Sequence, residues 1–197
     1  MSTPGFNPTA IAQLISSLLP VFFAGTIFGY NYIFIPPLLL HTDDRTLVLQ
    51  WLSAYQFGAR YVRPLAATST LSSAYLLFST LTSTGSDTTI QISYLIGFLS
   101  LPMLLAYTLL IMEPGVNGAL KYKAKLLVGE KVRFQGRAKI GEEHETASEA
   151  SKKWAEGTGA RDLLAVWKRD NDLRMVVSLI EGLASVVGSL RWASSTQ

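Results

Sequence analysis

The sequence predicts an all-α integral membrane protein, a single-domain bundle of four transmembrane helices with a polar, partly helical cytoplasmic insert between helices three and four. Three observations support this prediction: long segments without charge, a general shortage of charged residues, and basic residues concentrated in alternate loops. Charged residues make up 16% of the 197-residue chain and hydrophobic residues 49%, whereas a soluble domain is about 25% charged. A chain of this length is typical of one domain.

The four predicted spans are apolar segments bounded by proline or by polar residues. The first segment has no basic start and is long enough to cross ~30 Å of hydrocarbon, so it is interpreted as a span and not as a removable signal peptide. The second is rich in Ser, Thr and Ala, which favours packing inside a bundle over contact with lipid. The predicted spans are residues 11–35, 65–82, 92–112 and 175–190.

The segments between the spans have patterns of their own. Residues 46–63 form an amphipathic pattern at helical spacing, and Pro64 is expected either to kink this helix or to separate it from the second span. Residues 113–117 (EPGVN) are expected to end the third helix. The polar insert is predicted over residues 113–173 and is expected to be partly helical.

Basic residues predict the orientation, because loops rich in Lys and Arg stay in the cytoplasm. The N-terminal tail and the loop after the second span have none. The loop after the first span contains Arg45, Arg60 and Arg63. The loop after the third contains Lys121, Lys123, Lys125, Lys131, Arg133, Arg137, Lys139, Lys152, Lys153, Arg161, Lys168 and Arg169. Both termini are therefore expected on the non-cytoplasmic side of an integral membrane protein, in the endoplasmic reticulum or another endomembrane.

Composition excludes several kinds of chemistry. The chain has no cysteine, which excludes disulfides, thiolate metal sites and a cysteine nucleophile. It has two histidines, His41 and His144, so no metal centre is expected. Residues 142–145 (EEHE) are interpreted as solvated charge. The net charge of +3 comes from basic residues interleaved with acids, so no nucleic-acid partner is expected. No phosphate-binding loop or nucleophile elbow is present.

A polar stripe follows the last predicted helix. Its members are spaced three or four residues apart and so share one helix face: Trp167, Asn171, Arg174, Ser178, Glu181 and Ser185. An ionisable residue inside a transmembrane helix costs ~2.5–3.5 kcal/mol and usually faces the bundle interior. The alternatives are that Arg174 extends to the lipid headgroups and that Glu181 pairs with a Ser or Tyr of a neighbouring helix.

Four other residues are candidates for a binding site. Trp51 and Tyr55 lie one turn apart near an interface, with an ordinary aromatic belt as the alternative. Asn117 follows Pro114 and is either a helix cap or a site residue. His41, after the first span, is either an interfacial polar residue or a proton carrier.

These features resemble those of the anthrone oxygenase-like family, small four-helix membrane proteins of fungal aromatic polyketide pathways. The resemblance covers most of the chain but not the tail or much of the insert. It rests on the Gly-rich first helix ending in Pro36 and Pro37, on Trp51, Tyr55 and Gly58, on Pro114 and Asn117, and on Trp167, Asn171 and Arg174.

The resemblance implies an enzyme that oxidises an anthrone to an anthraquinone with molecular oxygen and without metal or flavin. It would need a flat apolar pocket, a base, and a group that holds the substrate anion. Arg174 and Asn171 are expected to stabilise the anion, while Trp167, Trp51, Tyr55 and Asn117 bind or position the substrate. The base is expected to be Glu181 or His41.

The expected partners are a lipophilic aromatic substrate and membrane lipid, with a homo-oligomer also possible.

Two other functions stay open. One is another reaction on a lipophilic polyketide, which oxygen consumption would separate. The other is a membrane adaptor or small transporter. An adaptor would depend on the charged insert, whereas an enzyme with a site inside the bundle is expected to tolerate deletion of residues 141–159 better.

Overall fold

The computed structural model describes residues 7–41, 43–83, 87–129 and 146–195. Nearly all of these residues are helical, and none of them lies in a strand. The helices are α1 (Pro8–Phe28), α2 (Ile35–His41), α3 (Asp44–Thr82), α4 (Thr88–Tyr107), α5 (Gly118–Val128), α6 (Glu149–Gly157) and α7 (Ala160–Ser195). Two π-helical segments, Gly29–Phe34 and Thr108–Asn117, join α1 to α2 and α4 to α5. The predicted all-α fold is confirmed.

Among the described residues, three helical stretches are long and apolar enough to cross a membrane: Pro8–Leu40, Thr88–Val128 and Ala160–Ser195. Large apolar side chains on them are exposed, as contact with lipid requires; Leu110 is 75% exposed and Leu190 is 64% exposed. The predicted count of four spans is not confirmed. The segment expected as the second span lies in α3, where many Ser and Thr residues lower the hydropathy.

Two expected helix boundaries differ in the structure. α3 continues through Pro64, so residues 46–63 and 65–82 belong to one helix. The third helix is expected to end at residues 113–117, but the helical path runs through them to Val128. Gly115 departs from helical dihedral angles and marks a kink. Pro114 lies within the second π-helical segment, where the altered hydrogen-bond pattern accommodates a residue that cannot donate a regular α-helical hydrogen bond.

The described part of the insert is packed against this kink. The Pro114 carbonyl accepts hydrogen bonds from the Ser148 backbone N–H at 3.1 Å and from Ser151 Oγ at 2.6 Å. A Cβ added at Gly118 would lie 2.5 Å from Ala147 Cα, so the two backbones are in close contact. Residues 142–145, interpreted as solvated charge, lie outside the described residues.

The chain divides into two compact units. Unit 1 contains Met1–Thr26, Val62–Leu104 and Met175–Gln197, and unit 2 contains Ile27–Tyr61 and Leu105–Arg174. The larger buried apolar cluster lies in unit 2 and includes Trp51, Leu120, Leu164 and Trp167. A smaller cluster around Leu76 and Tyr94 lies in unit 1. The single domain expected from chain length stays a prediction.

Candidate functional site

Three aromatic side chains of unit 2 contact one another. Trp51 stacks on Tyr55, one turn later on α3, with ring centroids 5.3 Å apart. The edge of one indole meets the face of the other where Trp51 contacts Trp167 of α7, at 5.9 Å and 89°. Trp51 is 1% exposed and Trp167 5%. Burial inside the protein distinguishes Trp51 from a residue of an aromatic belt, which lies at the membrane surface.

A carboxylate that the sequence did not single out lies beside this cluster. Glu113 Oε1 accepts a hydrogen bond from the Tyr55 hydroxyl and another from Asn117 Nδ2 at 3.0 Å. Its Oε2 is ion-paired with Lys121 and accepts from Thr146 Oγ1 at 2.9 Å. The Lys121 ammonium also lies 5.0 Å from the centroid of the Tyr55 ring. Glu113 therefore fixes the positions of a phenol, an amide and a cation.

Asn117 does not cap a helix. Its side chain makes no capping hydrogen bond to the backbone at the start of α5. It is fully buried and donates to Glu113, one turn earlier on the π-helical segment. The structure therefore places this predicted site residue in the Glu113 network.

Asn171 and Arg174 form a pair on α7. The Arg174 guanidinium donates from Nη1 to Asn171 Oδ1 at 2.9 Å, and Asn171 is 3% exposed. Arg174 interacts electrostatically with Tyr55, Tyr107 and Glu113. The guanidinium thus belongs to the surroundings of the Tyr55 and Glu113 pair and is held there by Asn171.

Asn31 is a second residue that sequence analysis missed. It is fully buried in the first π-helical segment, and its Nδ2 donates to the Lys168 carbonyl at 2.9 Å and to Asp172 Oδ1 at 2.8 Å. These two acceptors directly follow Trp167 and Asn171 in α7. Asn31 therefore fixes the position of the turn that carries those two side chains. An asparagine inside an otherwise apolar segment was the available signal.

Several buried polar atoms of this region have no hydrogen-bond partner among the described residues. They include Trp51 Nε1, Trp167 Nε1, Asn31 Oδ1 and Asn117 Oδ1. A buried donor or acceptor left unpaired costs about 1–3 kcal/mol, so such atoms in a folded protein call for an explanation. The buried indoles of Trp51 and Trp167 thus both carry an unpaired N–H donor.

The two predicted bases are placed differently. Glu181 belongs to unit 1 and is fully buried, and its Oε1 accepts a hydrogen bond from Ser69 Oγ at 3.1 Å. His41 is the last residue of α2, and its side chain lies outside the described part of the structure. The base assignment therefore stays a prediction.

The described residues contain no group of three or more His, Asp or Glu side chains that could hold a metal ion. The chemistry available in unit 2 is that of a hydrogen-bonded phenol and carboxylate, two cations, and unpaired indole N–H groups.

Comparison with known protein families gives a match over the region that carries the site. The family model described as anthrone oxygenase matches residues 51–184, more than half of the chain. The matched range begins at Trp51 and includes Glu113, Asn117 and the α7 residues from Trp167 to Glu181. No curated protein matches the chain, and no solved structure matches it.

Proposed function

This chain belongs to the anthrone oxygenase family, and from that premise we propose that it oxidises an anthrone-type aromatic polyketide to an anthraquinone with O2, without metal or organic cofactor. Membership of the family supports an oxygenase role on polyketide intermediates. The observation that supports the finer proposal is the set of buried, unpartnered donors on Trp51 and Trp167, packed with the hydrogen-bonded Tyr55 and Glu113 pair.

The chemistry needs no cofactor, because the anthrone itself supplies the electrons. Removal of one proton from the central CH2 gives an aromatic, electron-rich anion that transfers electrons to O2 and forms a carbon–oxygen bond. The product is a peroxide at that carbon. Loss of the remaining hydrogen on the carbon, with cleavage of the O–O bond, gives the quinone carbonyl and one water. One anthrone and one O2 thus become one anthraquinone and one H2O.

Tyr55 and Glu113 would act together as the base. The Tyr55 oxygen would receive the CH2 proton while its own proton passes along the existing hydrogen bond to Glu113. Lys121 is ion-paired with the same carboxylate and orients it. Proton transfer by a positioned side chain contributes typically about 10²–10⁴-fold to rate.

The substrate anion would be held by the indole N–H groups and by Arg174. Negative charge develops on the carbonyl oxygen of the anthrone as the proton leaves, and donors already fixed in a water-poor site stabilise it without rearrangement. Asn171 fixes the guanidinium, and the unpaired Asn117 Oδ1 would accept from a hydroxyl of the substrate.

Glu181 is the alternative base, with His41 as a further candidate. The alternatives are separable by substitution. Loss of turnover in Glu181→Gln together with full turnover in Glu113→Gln would assign the base to Glu181 and contradict the role proposed for Tyr55 and Glu113.

The membrane setting fits such a substrate. An anthrone is flat and apolar and partitions into a bilayer, so the enzyme would take it from lipid. We propose an endomembrane location. The distribution of Lys and Arg predicts both termini on the non-cytoplasmic side, an orientation that requires α3 to cross the membrane as a fourth span.

The first prediction concerns stoichiometry. Purified full-length protein in detergent is expected to consume one O2 for each anthraquinone formed from an anthrone, in chelator-treated buffer and without added flavin or nicotinamide. The measurements are oxygen-electrode uptake and product absorbance, with boiled protein as the control for spontaneous oxidation. A different product from a polyketide substrate, or activity abolished by chelation, would contradict the proposal.

The second prediction concerns Arg174. Arg174→Ala is expected to lower turnover by about 10²–10³-fold, because a fixed donor to the developing oxyanion is lost. Arg169→Ala is the matched control, since Arg169 lies on the same helix and its side chain is 76% exposed. If Arg174→Ala and Glu181→Gln both kept full turnover, the polar stripe of α7 would be structural.

A further inference from the structure

A second group of buried polar side chains lies within unit 1, on α3 and α7. Ser69 and Ser73 are one turn apart on α3, and Glu181 and Ser185 are one turn apart on α7. All four are fully buried. Ser69 donates to Glu181 Oε1 at 3.1 Å. A Cβ added at Gly97 of α4 would lie 2.9 Å from Ser73 Oγ and 3.1 Å from Ser185 Oγ. The Ser73 and Ser185 hydroxyls therefore both lie against Gly97, and Ser69 and Glu181 meet one turn earlier on the same two helices.

Three of the oxygen atoms in this group lack protein partners. Within the described part of the chain, Glu181 Oε2, Ser73 Oγ and Ser185 Oγ have no hydrogen bond. Buried oxygens without a partner, on two adjacent turns of α3 and α7, are a cost that a bound ligand would remove. No Lys or Arg among the described residues of unit 1 is ion-paired with Glu181. The Glu181 carboxylate therefore has a hydrogen bond from the Ser69 hydroxyl but no positively charged partner among these residues.

The chemistry of these oxygen atoms indicates which kind of ligand would bind to them. Every available atom is a hard oxygen, from one carboxylate and three hydroxyls, and oxygen ligands of this kind suit alkali and alkaline-earth cations better than transition metals. One carboxylate neutralises a single positive charge. A divalent ion would leave a net positive charge inside an apolar helix bundle, where an uncompensated charge is costly.

We propose that Glu181, Ser69, Ser73 and Ser185 form a binding site for one monovalent cation of the size of Na⁺, enclosed by α3, α4 and α7. The cation supplies the counter-charge that Glu181 lacks, and the unpaired hydroxyl oxygens of Ser73 and Ser185 coordinate it. It links α3 to α7, so its binding stabilises unit 1. This role is independent of the oxidation proposed above, since it requires no substrate.

The test uses purified full-length protein in detergent, freed of sodium by exchange into choline chloride. Wild-type protein is expected to bind one ²²Na⁺ per chain in equilibrium dialysis. Its thermal unfolding midpoint is expected to rise with NaCl at constant ionic strength, because a ligand that binds only the folded state stabilises it. Glu181→Gln and Ser73→Ala are expected to lose both effects, with at least a tenfold loss of Na⁺ affinity.

Ser79→Ala is the matched control. Ser79 lies on the same helix as Ser73, and its hydroxyl donates to the Tyr75 carbonyl one turn earlier. It is expected to keep both effects. Sodium binding that is equal in wild type and Glu181→Gln would overturn the proposal, and so would a wild-type protein whose sodium binding and unfolding midpoint are both independent of Na⁺. That last result would show that these oxygens hold no sodium ion.

Discussion

Glu113→Gln is expected to lower anthrone turnover by about 10²–10⁴-fold, the loss typical of removing a positioned proton acceptor. A glutamine keeps the size of the side chain and can still accept from Tyr55, but it cannot take up the phenolic proton. Tyr55→Phe is expected to cause a loss of the same order by removing the oxygen itself. Phenylalanine leaves the ring stacked on Trp51 and keeps the ion pair between Glu113 and Lys121. It therefore tests the assignment at the cost of one hydrogen bond to Glu113, whose bonds from Asn117, Lys121 and Thr146 remain.

A readout beyond rate separates proton transfer from simple support of the fold. With a substrate deuterated at the central CH2, the isotope effect on turnover is expected to increase in Glu113→Gln, because removal of that proton becomes fully rate-limiting. Glu149→Gln is the matched control, since Glu149 pairs with Lys152 on the surface and its side chain is 90% exposed. An unchanged isotope effect with unchanged turnover in both Glu113→Gln and Tyr55→Phe would exclude this pair as the base.

The sequence could predict residues that share one helix face, because that relation is local. Trp51 with Tyr55, and Asn171 with Arg174, follow from spacings of four and three residues. The structure places both pairs in unit 2. Their partners on other helices could not be predicted, since no spacing in the chain encodes that Tyr55 donates to Glu113, 58 residues away.

Residues 113–117, which begin with Glu113, are predicted to end the third helix, and this expectation has a physical reason. An acid followed by Pro114 and Gly115 normally ends a helix, because proline lacks a donor and glycine favours turns. In the structure the helical path continues, and the Pro114 carbonyl accepts hydrogen bonds from Ser148 and Ser151. These two residues lie near the C-terminal end of the insert. A local sequence rule cannot include donors that lie more than thirty residues away.

The contacts of the insert also change how a rival function is tested. From the sequence, deletion of residues 141–159 is expected to harm an adaptor more than an enzyme. Thr146, Ser148 and Ser151 lie in the deleted range, and they contact Glu113 and Pro114. An enzyme that uses Glu113 would lose its support as well. The deletion therefore does not discriminate between the two functions, whereas conversion of an anthrone does.

Gly118→Ala is expected to detach the insert from the kink. The new methyl carbon would lie 2.5 Å from Ala147 Cα, 2.6 Å from the Glu113 carbonyl oxygen and 2.7 Å from the Ala147 nitrogen. These are backbone atoms, so relief requires the chain around Ala147 to move away. That movement would break the contacts of Thr146 with Glu113 and of Ser148 with Pro114. Overpacking of this kind costs about 1–3 kcal/mol, which lowers the unfolding midpoint by roughly 2–12 °C in a chain of this size.

The measurement combines thermal unfolding in detergent with limited trypsin digestion, because detachment of the insert would loosen α6 and make the backbone at Lys152 and Lys153 easier to cleave. Gly157→Ala is the matched control: Gly157 is the last residue of α6, and a Cβ there would meet nothing within 4 Å. It should leave both readouts unchanged. Because Thr146 helps to hold the Glu113 carboxylate, Gly118→Ala should also lower turnover, and the loss should be smaller than that of Glu113→Gln, which removes the acid itself. A Gly118→Ala protein with a wild-type midpoint, a wild-type digestion pattern and full turnover would show that the packing of the insert has no part in positioning Glu113.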